Sequence, residues 1–158
     1  MYVLICSFVY IAQEKLVYFP GTEVTATPKE VGLTFDELYI ETSDGEKIHT
    51  WDIPAKANSK YILFLHGNAG NISDRAFKVR PYIDAGLGIM LVGYRGYGHN
   101  PGYPTEIGLF YDGSAALAYL ERLGFPPKTW ILYGESLGSA VAVEMAQRYA
   151  TAATPVGA

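Results

Sequence analysis

The segment that most constrains the fold of this chain runs from residue 130 to residue 140 and reads WILYGESLGSA. Its first four residues are apolar, as in a strand that is buried on both faces, and a helical pattern begins directly after Gly-Glu-Ser-Leu-Gly. A Gly-x-Ser-x-Gly turn between a strand and a helix is a nucleophile elbow, in which a strained backbone lifts the serine clear of the sheet. Gly134 and Gly138 remove Cβ atoms that would collide with the neighbouring strand and helix. The segment therefore predicts Ser136 as a nucleophile, at the start of a helix whose free N–H groups favour negative charge.

Composition excludes several classes of protein. The chain has 158 residues, of which 49% are hydrophobic, so it is long and apolar enough to form one globular domain. The formal net charge of -4 and the lack of a Lys/Arg cluster argue against nucleic-acid binding. A single cysteine, Cys6, rules out an internal disulfide. No spacing of Cys and His suits zinc, so the sequence predicts no metal site.

The N-terminus is an almost unbroken apolar run over residues 1–12, interrupted by Ser7. The run is shorter than the roughly 20 residues that span a bilayer, and it lacks the basic start and cleavage site of a signal peptide. Because residues 13–15 (QEK) end it where a membrane interface would lie, we expect residues 1–15 to be the remnant of a membrane anchor and residues 16–158 to be an incomplete folded domain. The protein would then be membrane-associated, on a side that remains undetermined. The alternative is a buried first strand or helix.

The pattern of the domain is that of an α/β protein. An Asp-Gly turn at residues 43–46 separates two alternating strands and predicts an antiparallel hairpin near a sheet edge, on which His49 would be exposed. Later strands are apolar at consecutive positions, which indicates a mostly parallel sheet with helices on both faces. The hairpin strands are predicted at 37–42 and 47–53, the parallel strands at 61–65, 89–92 and 130–133, the helices at 73–85 and 105–123, and an extended segment at 16–21.

Three glycine-rich turns follow the three parallel strands, so they meet at one edge of the sheet. The turn at residues 66–71 (HGNAGN) predicts an oxyanion hole, in which the backbone N–H groups of Asn68 and Leu137 face the oxygen that becomes charged when an acyl carbon turns tetrahedral. The alternative is that this turn is only a flexible connection. The other residues expected at the elbow and its rim are His66, Gly67, Tyr97 and Glu135.

Three motifs in order resemble the α/β-hydrolase family: HGNAG at 66–70, YRGYG at 94–98 and GESLG at 134–138. Within this family the chain is similar to membrane-anchored serine hydrolases that include depalmitoylating thioesterases and serine aminopeptidase-like bacterial proteins. The similarity runs from about residue 16 to the last residue. It implies an N-terminal membrane anchor, acyl transfer on Ser136 to or from a small-molecule or acylated substrate, and no cofactor.

The chain departs from the family after the elbow, where the triad acid and histidine follow the serine in chain order. No Asp or His occurs after Ser136, and the one acid, Glu144, is spaced to pair with Arg148 on a solvated helix face. We therefore expect the N-terminal part of an α/β-hydrolase fold, with the C-terminal strands missing and the chain as given inactive. His99 is expected to be a solvated loop histidine, since nothing orients it as a base. Three functions stay open: a hydrolase of esters or thioesters truncated before its acid and histidine, an inactive fragment with a structural or partner-binding role, and a serine peptidase.

Overall fold

The computed structural model of the protein describes residues 1–54 and 59–150. In chain order its helices and strands are α1 (Tyr2–Val17), β1 (Phe19–Pro20), β2 (Asp36–Glu41), β3 (Lys47–Ile53), β4 (Tyr61–Leu65), β5 (Ala69–Gly70), α2 (Arg80–Asp84), β6 (Gly88–Val92), α3 (Glu106–Arg122), β7 (Trp130–Gly134) and α4 (Leu137–Ala150). Short 3₁₀ helices cover Pro28–Val31, Ile72–Lys78 and Pro127–Thr129.

The main sheet has five strands in the order β2-β3-β6-β4-β7. The hairpin β2–β3 lies at one edge and is antiparallel, and β3 is also antiparallel to β6. Strands β6, β4 and β7 are parallel, and Leu65 is in register with both Val92 and Gly134. The three parallel strands therefore end at the same level, and the turns that follow them lie along one edge of the sheet. This is the predicted α/β architecture, with a mostly parallel sheet preceded by an antiparallel hairpin.

Two apolar layers cover the sheet. Every residue of β4 and β6 is buried, because alternate side chains of each strand point to opposite faces and both faces are packed. On one face Leu63 and Met90 pack with residues of α3 and α4 such as Leu117 and Met145. The other face is covered by the 72–84 region. Complete burial of an aliphatic side chain of this size contributes about 1.5–3 kcal/mol, so the side chains of β4 and β6 contribute strongly to the stability of the domain.

The helix predicted at residues 73–85 differs from the structure, whereas the helix predicted at residues 105–123 is confirmed. Residues 73–85 are not one helix, because Pro81 has no N–H to donate and its ring would clash with the preceding turn of a continuous helix. A 3₁₀ helix instead starts at Ile72, where the side chain of Asn71 accepts from the N–H of Ser73, and α2 follows from Arg80. The helix α3 agrees with the prediction, and the side chain of Thr105 caps its first turn.

The N-terminal run forms an exposed helix. α1 continues past the break predicted at residues 13–15, and none of its sixteen residues, all of which the structure describes, is buried. The described structure therefore does not bury this first element, and the membrane anchor stays a prediction. The extended segment begins only at Tyr18, after which β1 pairs in parallel with β5. Within residues 1–54 and 59–150, no helix has both the length and the apolar character that crossing a bilayer requires.

Candidate active site

Ser136 lies on a strained turn between β7 and α4. Its φ of 51° is the only positive φ of a non-glycine residue in the described part of the chain, and its side chain is exposed. The close packing predicted for the flanking glycines is present. A Cβ on Gly134 would lie 2.5 Å from the carbonyl oxygen of Gly138, and one on Gly138 would lie 2.0 Å from that of Leu65. A non-glycine residue held in the left-handed region costs about 1–3 kcal/mol, which the surrounding packing must offset.

The turn after β4 lies directly against the elbow. A Cβ on Gly67 would be 3.5 Å from the Cβ of Ser136 and 3.2 Å from the carbonyl oxygen of Glu135. The N–H of Glu135 donates to the carbonyl of Leu65 over 2.9 Å, which ties the two turns together. Among the described residues, the backbone N–H groups of Asn68 and Leu137 have no hydrogen-bond acceptor. Their role as oxyanion donors stays a prediction, and both donors are available for it.

The side chain of Asn68 joins three segments of the chain. Its Oδ1 accepts from the N–H of Phe19 at 3.0 Å and from the hydroxyl of Tyr97 at 2.8 Å, and its Nδ2 donates to the carbonyl of Val17. Burial raises the pKa of Tyr97 to about 12, so its hydroxyl is a neutral donor at physiological pH. The predicted oxyanion turn is thus held between the end of α1 and the loop after β6.

Glu135 is bound by two cations that the sequence alone does not reveal as part of the site. Its carboxylate accepts from Nε of Arg75 at 2.8 Å and from Nζ of Lys78. Burial acts to raise the pKa of Glu135, but the hydrogen bonds from Lys78 and Arg75 outweigh it and lower the pKa to about 2. Nη1 of Arg75 also donates to the carbonyl of Ala69 at 2.8 Å. Arg75 therefore connects the elbow to the turn after β4.

His66 starts the turn after β4, as predicted, but its side chain is buried beneath that turn. Its ring is fully buried and packs against Tyr94 and Tyr97, with ring centroids 4.3 and 5.1 Å away. Nδ1 lies 2.7 Å from the carbonyl oxygen of Gly67, so this nitrogen carries the proton and donates. Burial lowers the pKa of His66 to about 4. The ring is therefore neutral at physiological pH. It packs beneath the turn, where the surrounding side chains leave it no access to the cleft.

A second buried ion pair fixes the loop after β6. The guanidinium of Arg95 donates to Asp112 on α3 at 2.8 Å and to Asp44 in the hairpin turn at 2.6 Å. Burial raises the pKa of Asp112 to about 6, even though the hydrogen bonds from Arg95 oppose that rise. The one sequence signal for the contact between Arg95 and Asp112 is that Asp112 lies on the apolar side of the helix predicted at residues 105–123.

The expectation that His49 is exposed is wrong. Only 1% of its surface is accessible, because Tyr39 and His99 stack on its two sides. His49 and β3 are separated from β7 by β6 and β4, which places them about 14 Å from the elbow strand at the usual strand spacing. His49 therefore does not contact Ser136, and His99 stacks on His49 with ring centroids 5.4 Å apart.

An apolar groove adjoins the elbow. It has a volume of about 360 Å³ and lies between α1, α3 and the start of α4. Its apolar lining includes Val17, Leu109, Phe110, Leu137 and Val141. Leu137 directly follows Ser136, so the groove opens beside the candidate nucleophile.

Comparison with known proteins gives consistent results. No protein-family model matches the chain. It is 36% identical over 138 residues to the α/β-hydrolase domain-containing protein WAV2 of Arabidopsis thaliana, a match that covers 82% of this chain and 45% of WAV2. It is 34% identical over 125 residues to an uncharacterized membrane protein of Saccharomyces cerevisiae, covering 78% of this chain and 44% of that protein. A solved esterase of Pyrococcus furiosus matches with a TM-score of 0.64 and 25% identity, over 81% of this chain and 52% of the esterase.

The strand order, the turn at Ser136 and these similarities lead to one conclusion: the chain has the α/β-hydrolase fold and is similar to part of α/β-hydrolase proteins. The chain spans about half the length of the curated relatives that it matches.

Proposed function

We propose that the protein is a serine hydrolase of carboxylic esters or thioesters that forms an acyl-enzyme on Ser136. The observation that carries this proposal is the strained, exposed position of Ser136 at the carboxyl end of β7, directly against the turn that contains Asn68. In the proposed reaction the Ser136 hydroxyl attacks the acyl carbon, and the N–H groups of Asn68 and Leu137 bind the oxyanion. One such donor typically contributes about 3 kcal/mol of transition-state stabilisation.

We further propose that the acid and the histidine of the triad are supplied by residues outside 1–158. His66 is buried with Nδ1 committed to Gly67, whereas His49 lies on β3, three strand spacings from β7, and His99 stacks on His49. The helix after the elbow supplies no candidate either, because its one acid, Glu144, pairs with Arg148 at 2.7 Å. Without an acid–histidine pair, the oxyanion hole and binding alone leave roughly 10³–10⁴-fold catalysis over water.

The groove supports an acyl group as the substrate portion that is bound beside Ser136. Its volume of about 360 Å³ falls within the usual range for small-molecule sites, and its wall is mainly apolar. We expect an esterase activity that is higher for p-nitrophenyl octanoate than for p-nitrophenyl acetate. Ala140→Phe should remove that preference, because Ala140 lines the groove at an exposed position, whereas Val143→Phe, exposed three residues further along α4, should keep it.

We also propose that α1 associates with a membrane. Its large apolar side chains are exposed on all sides, which is typical of helices that are buried in protein or lipid. One relative is itself named a membrane protein. Co-sedimentation with lipid vesicles should be lost in a Phe8→Glu, Ile11→Glu double variant. A variant that sediments as the original protein does would contradict this role.

Labelling with a fluorophosphonate tests the central proposal. The experiment uses both the 158-residue chain and the product of the natural reading frame, sequenced past codon 158. Labelling should require Ser136 and disappear in Ser136→Ala. The matched control is Ser139→Ala, one turn along the same helix, whose hydroxyl already donates to the carbonyl of Gly134 at 3.0 Å. Labelling that survives in Ser136→Ala would refute the proposed nucleophile.

Substrate assays then separate the remaining functions. Parallel assays with p-nitrophenyl esters, acyl-thioesters and aminoacyl amides distinguish an esterase, a thioesterase and a peptidase, because all three proceed through an acyl-enzyme on the same serine. A folded protein that hydrolyses none of them and resists the fluorophosphonate would favour a structural or partner-binding role, which the missing acid and histidine also suggest.

A further inference from the structure

A row of polar side chains on the hairpin plays no part in the proposed reaction. In the β2–β3 register Glu37 pairs with Trp51 and Tyr39 pairs with His49. Because side chains alternate between faces along a strand, these four residues share one face of the hairpin. His99, in the loop after β6, stacks on the same histidine with ring centroids 5.4 Å apart. Three separate segments thus bring two imidazoles and one carboxylate together.

His49 is held rigidly in this group. Its ring is almost completely buried between the rings of Tyr39 and His99. Its backbone N–H donates to the side-chain oxygen of Asn100, the residue that follows His99. This hydrogen bond joins β3 to the loop that carries the second histidine, so the two imidazoles are brought together by the backbone as well as by their stacking.

The Nε2 atom of His49 has two neighbours with opposite requirements. Oε1 of Glu37 lies 2.6 Å away, and the indole N–H of Trp51 donates to Nε2 at 3.1 Å. If Nε2 carries a proton, it can donate to Glu37 but it opposes the indole N–H. If it carries a lone pair, it can accept from Trp51 but the lone pair faces a carboxylate. A cation between the carboxylate and the imidazole removes the repulsion between their lone pairs, because both then act as ligands.

We infer that Glu37, His49 and His99 form a binding site for a divalent transition-metal ion with the preferences of zinc. Their ligand atoms all lie within 4.8 Å of one another. Zinc ligands at 2.0–2.1 Å in a tetrahedron are about 3.4 Å apart, so Glu37 and His99 must move by about 1 Å. Both are free to do so, since 52% of the Glu37 side chain is exposed and His99 is also exposed. Two imidazoles and one carboxylate are a donor set typical of zinc, with the fourth position left to water.

The site lies on the path from the hairpin to the candidate active site. His99 is two residues from Tyr97, whose hydroxyl donates to the side chain of Asn68. A bound ion would cross-link β2 and β3 to this loop and stabilise the folded state by mass action. The spacing of the ligands in the sequence gives no warning of the site, because they come from residues 37, 49 and 99 and not from one short motif.

Metal titration tests the inference independently of any hydrolase activity. Untagged protein, freed of metal with EDTA, is titrated with Zn²⁺ against a chromophoric chelator, and we expect one tight equivalent and a rise in melting temperature. Glu37→Gln and His99→Ala should each weaken binding by about tenfold or more. Both side chains are exposed, so both variants should fold. Glu41→Gln, at an exposed position on the same strand, is the matched control and should bind as the original protein does.

A second measurement guards against adventitious zinc. Co²⁺ bound by these three residues and water should give visible absorption bands typical of low coordination number, and these bands should disappear in His99→Ala. The inference is overturned if the protein competes no better than buffer for Zn²⁺. It is equally overturned if both ligand variants bind as tightly as the Glu41→Gln control.

Discussion

Replacing Gly138 with alanine tests how closely the start of α4 is held against β4. A Cβ at this position would lie 2.0 Å from the carbonyl oxygen of Leu65 and 2.7 Å from that of His66. Ordinary contacts of a Cβ lie at 3.4–4 Å, so the helix would have to move away from the strand by more than an ångström. Both close atoms belong to the backbone, and therefore no side-chain rotation can relieve the overlap.

The expected size of the effect follows from three opposing contributions. Helix propensity by itself favours alanine over glycine by about 1 kcal/mol. Overpacking costs about 1–3 kcal/mol. The N–H of Glu135 donates to the same Leu65 oxygen at 2.9 Å, and loss of that hydrogen bond costs about 1 kcal/mol. We therefore expect Gly138→Ala to lower the free energy of unfolding by about 1–3 kcal/mol, although propensity alone predicts an increase.

Urea unfolding measures this effect, and tryptophan fluorescence reports it because Trp51 and Trp130 are both buried. Ala140→Gly is the control, since position 140 is exposed in the same helix and should show only the propensity cost of about 1 kcal/mol. If Gly138→Ala is as stable as the original protein or more stable, α4 does not approach β4 as the structure shows, and the argument for the elbow geometry fails.

Three further predictions concern the surroundings of Ser136. The pKa of His66 is about 4 in the folded chain and 6.5 in an unfolded one, so the unfolded state binds the proton first as the pH falls. This difference lowers the free energy of unfolding by about 3 kcal/mol between about pH 6.5 and 4. The free energy of unfolding, measured with urea across that range, should depend less on pH in His66→Asn than in the original protein. Asn68→Ala should lower the free energy of unfolding by about 1–3 kcal/mol, because it leaves two donors and one acceptor unpaired. Tyr97→Phe removes only one of these hydrogen bonds and should have a smaller effect. Equal decreases in the free energy of unfolding, measured with urea, would contradict this prediction. Arg75→Ala should lower the free energy of unfolding by about 2 kcal/mol and slow labelling by the fluorophosphonate. The control, Arg80→Ala, breaks an exposed ion pair, so it should lower the free energy of unfolding by less than about 0.5 kcal/mol and leave the labelling rate unchanged.

The elements that the sequence predicts well are those with a local cause. The buried strands β4, β6 and β7 follow from consecutive apolar residues between turns, and the hairpin follows from alternation around Asp44-Gly45. The two helical predictions differ in outcome for a local reason as well: Pro81 interrupts the first, and no proline lies within the second. Burial was harder to predict. His49 lies on a strand with alternating polar and apolar residues, and His66 lies at the start of a glycine-rich turn. Both side chains are nevertheless inaccessible, because loops from other parts of the chain pack over them.

The sequence by itself determined the position of the candidate nucleophile, since a strand, a Gly-x-Ser-x-Gly turn and a helix within eleven residues leave Ser136 few other conformations. Only the tertiary structure decided what holds that serine and its neighbouring turn in place. Glu135 is bound by Arg75, sixty residues away, and Asn68 is bound to Val17 across fifty-one. A local pattern specifies backbone conformation, whereas a hydrogen bond between distant residues depends on the strand order that brings them together. The hydrogen bonds that hold the site in place could therefore be identified only from the tertiary structure.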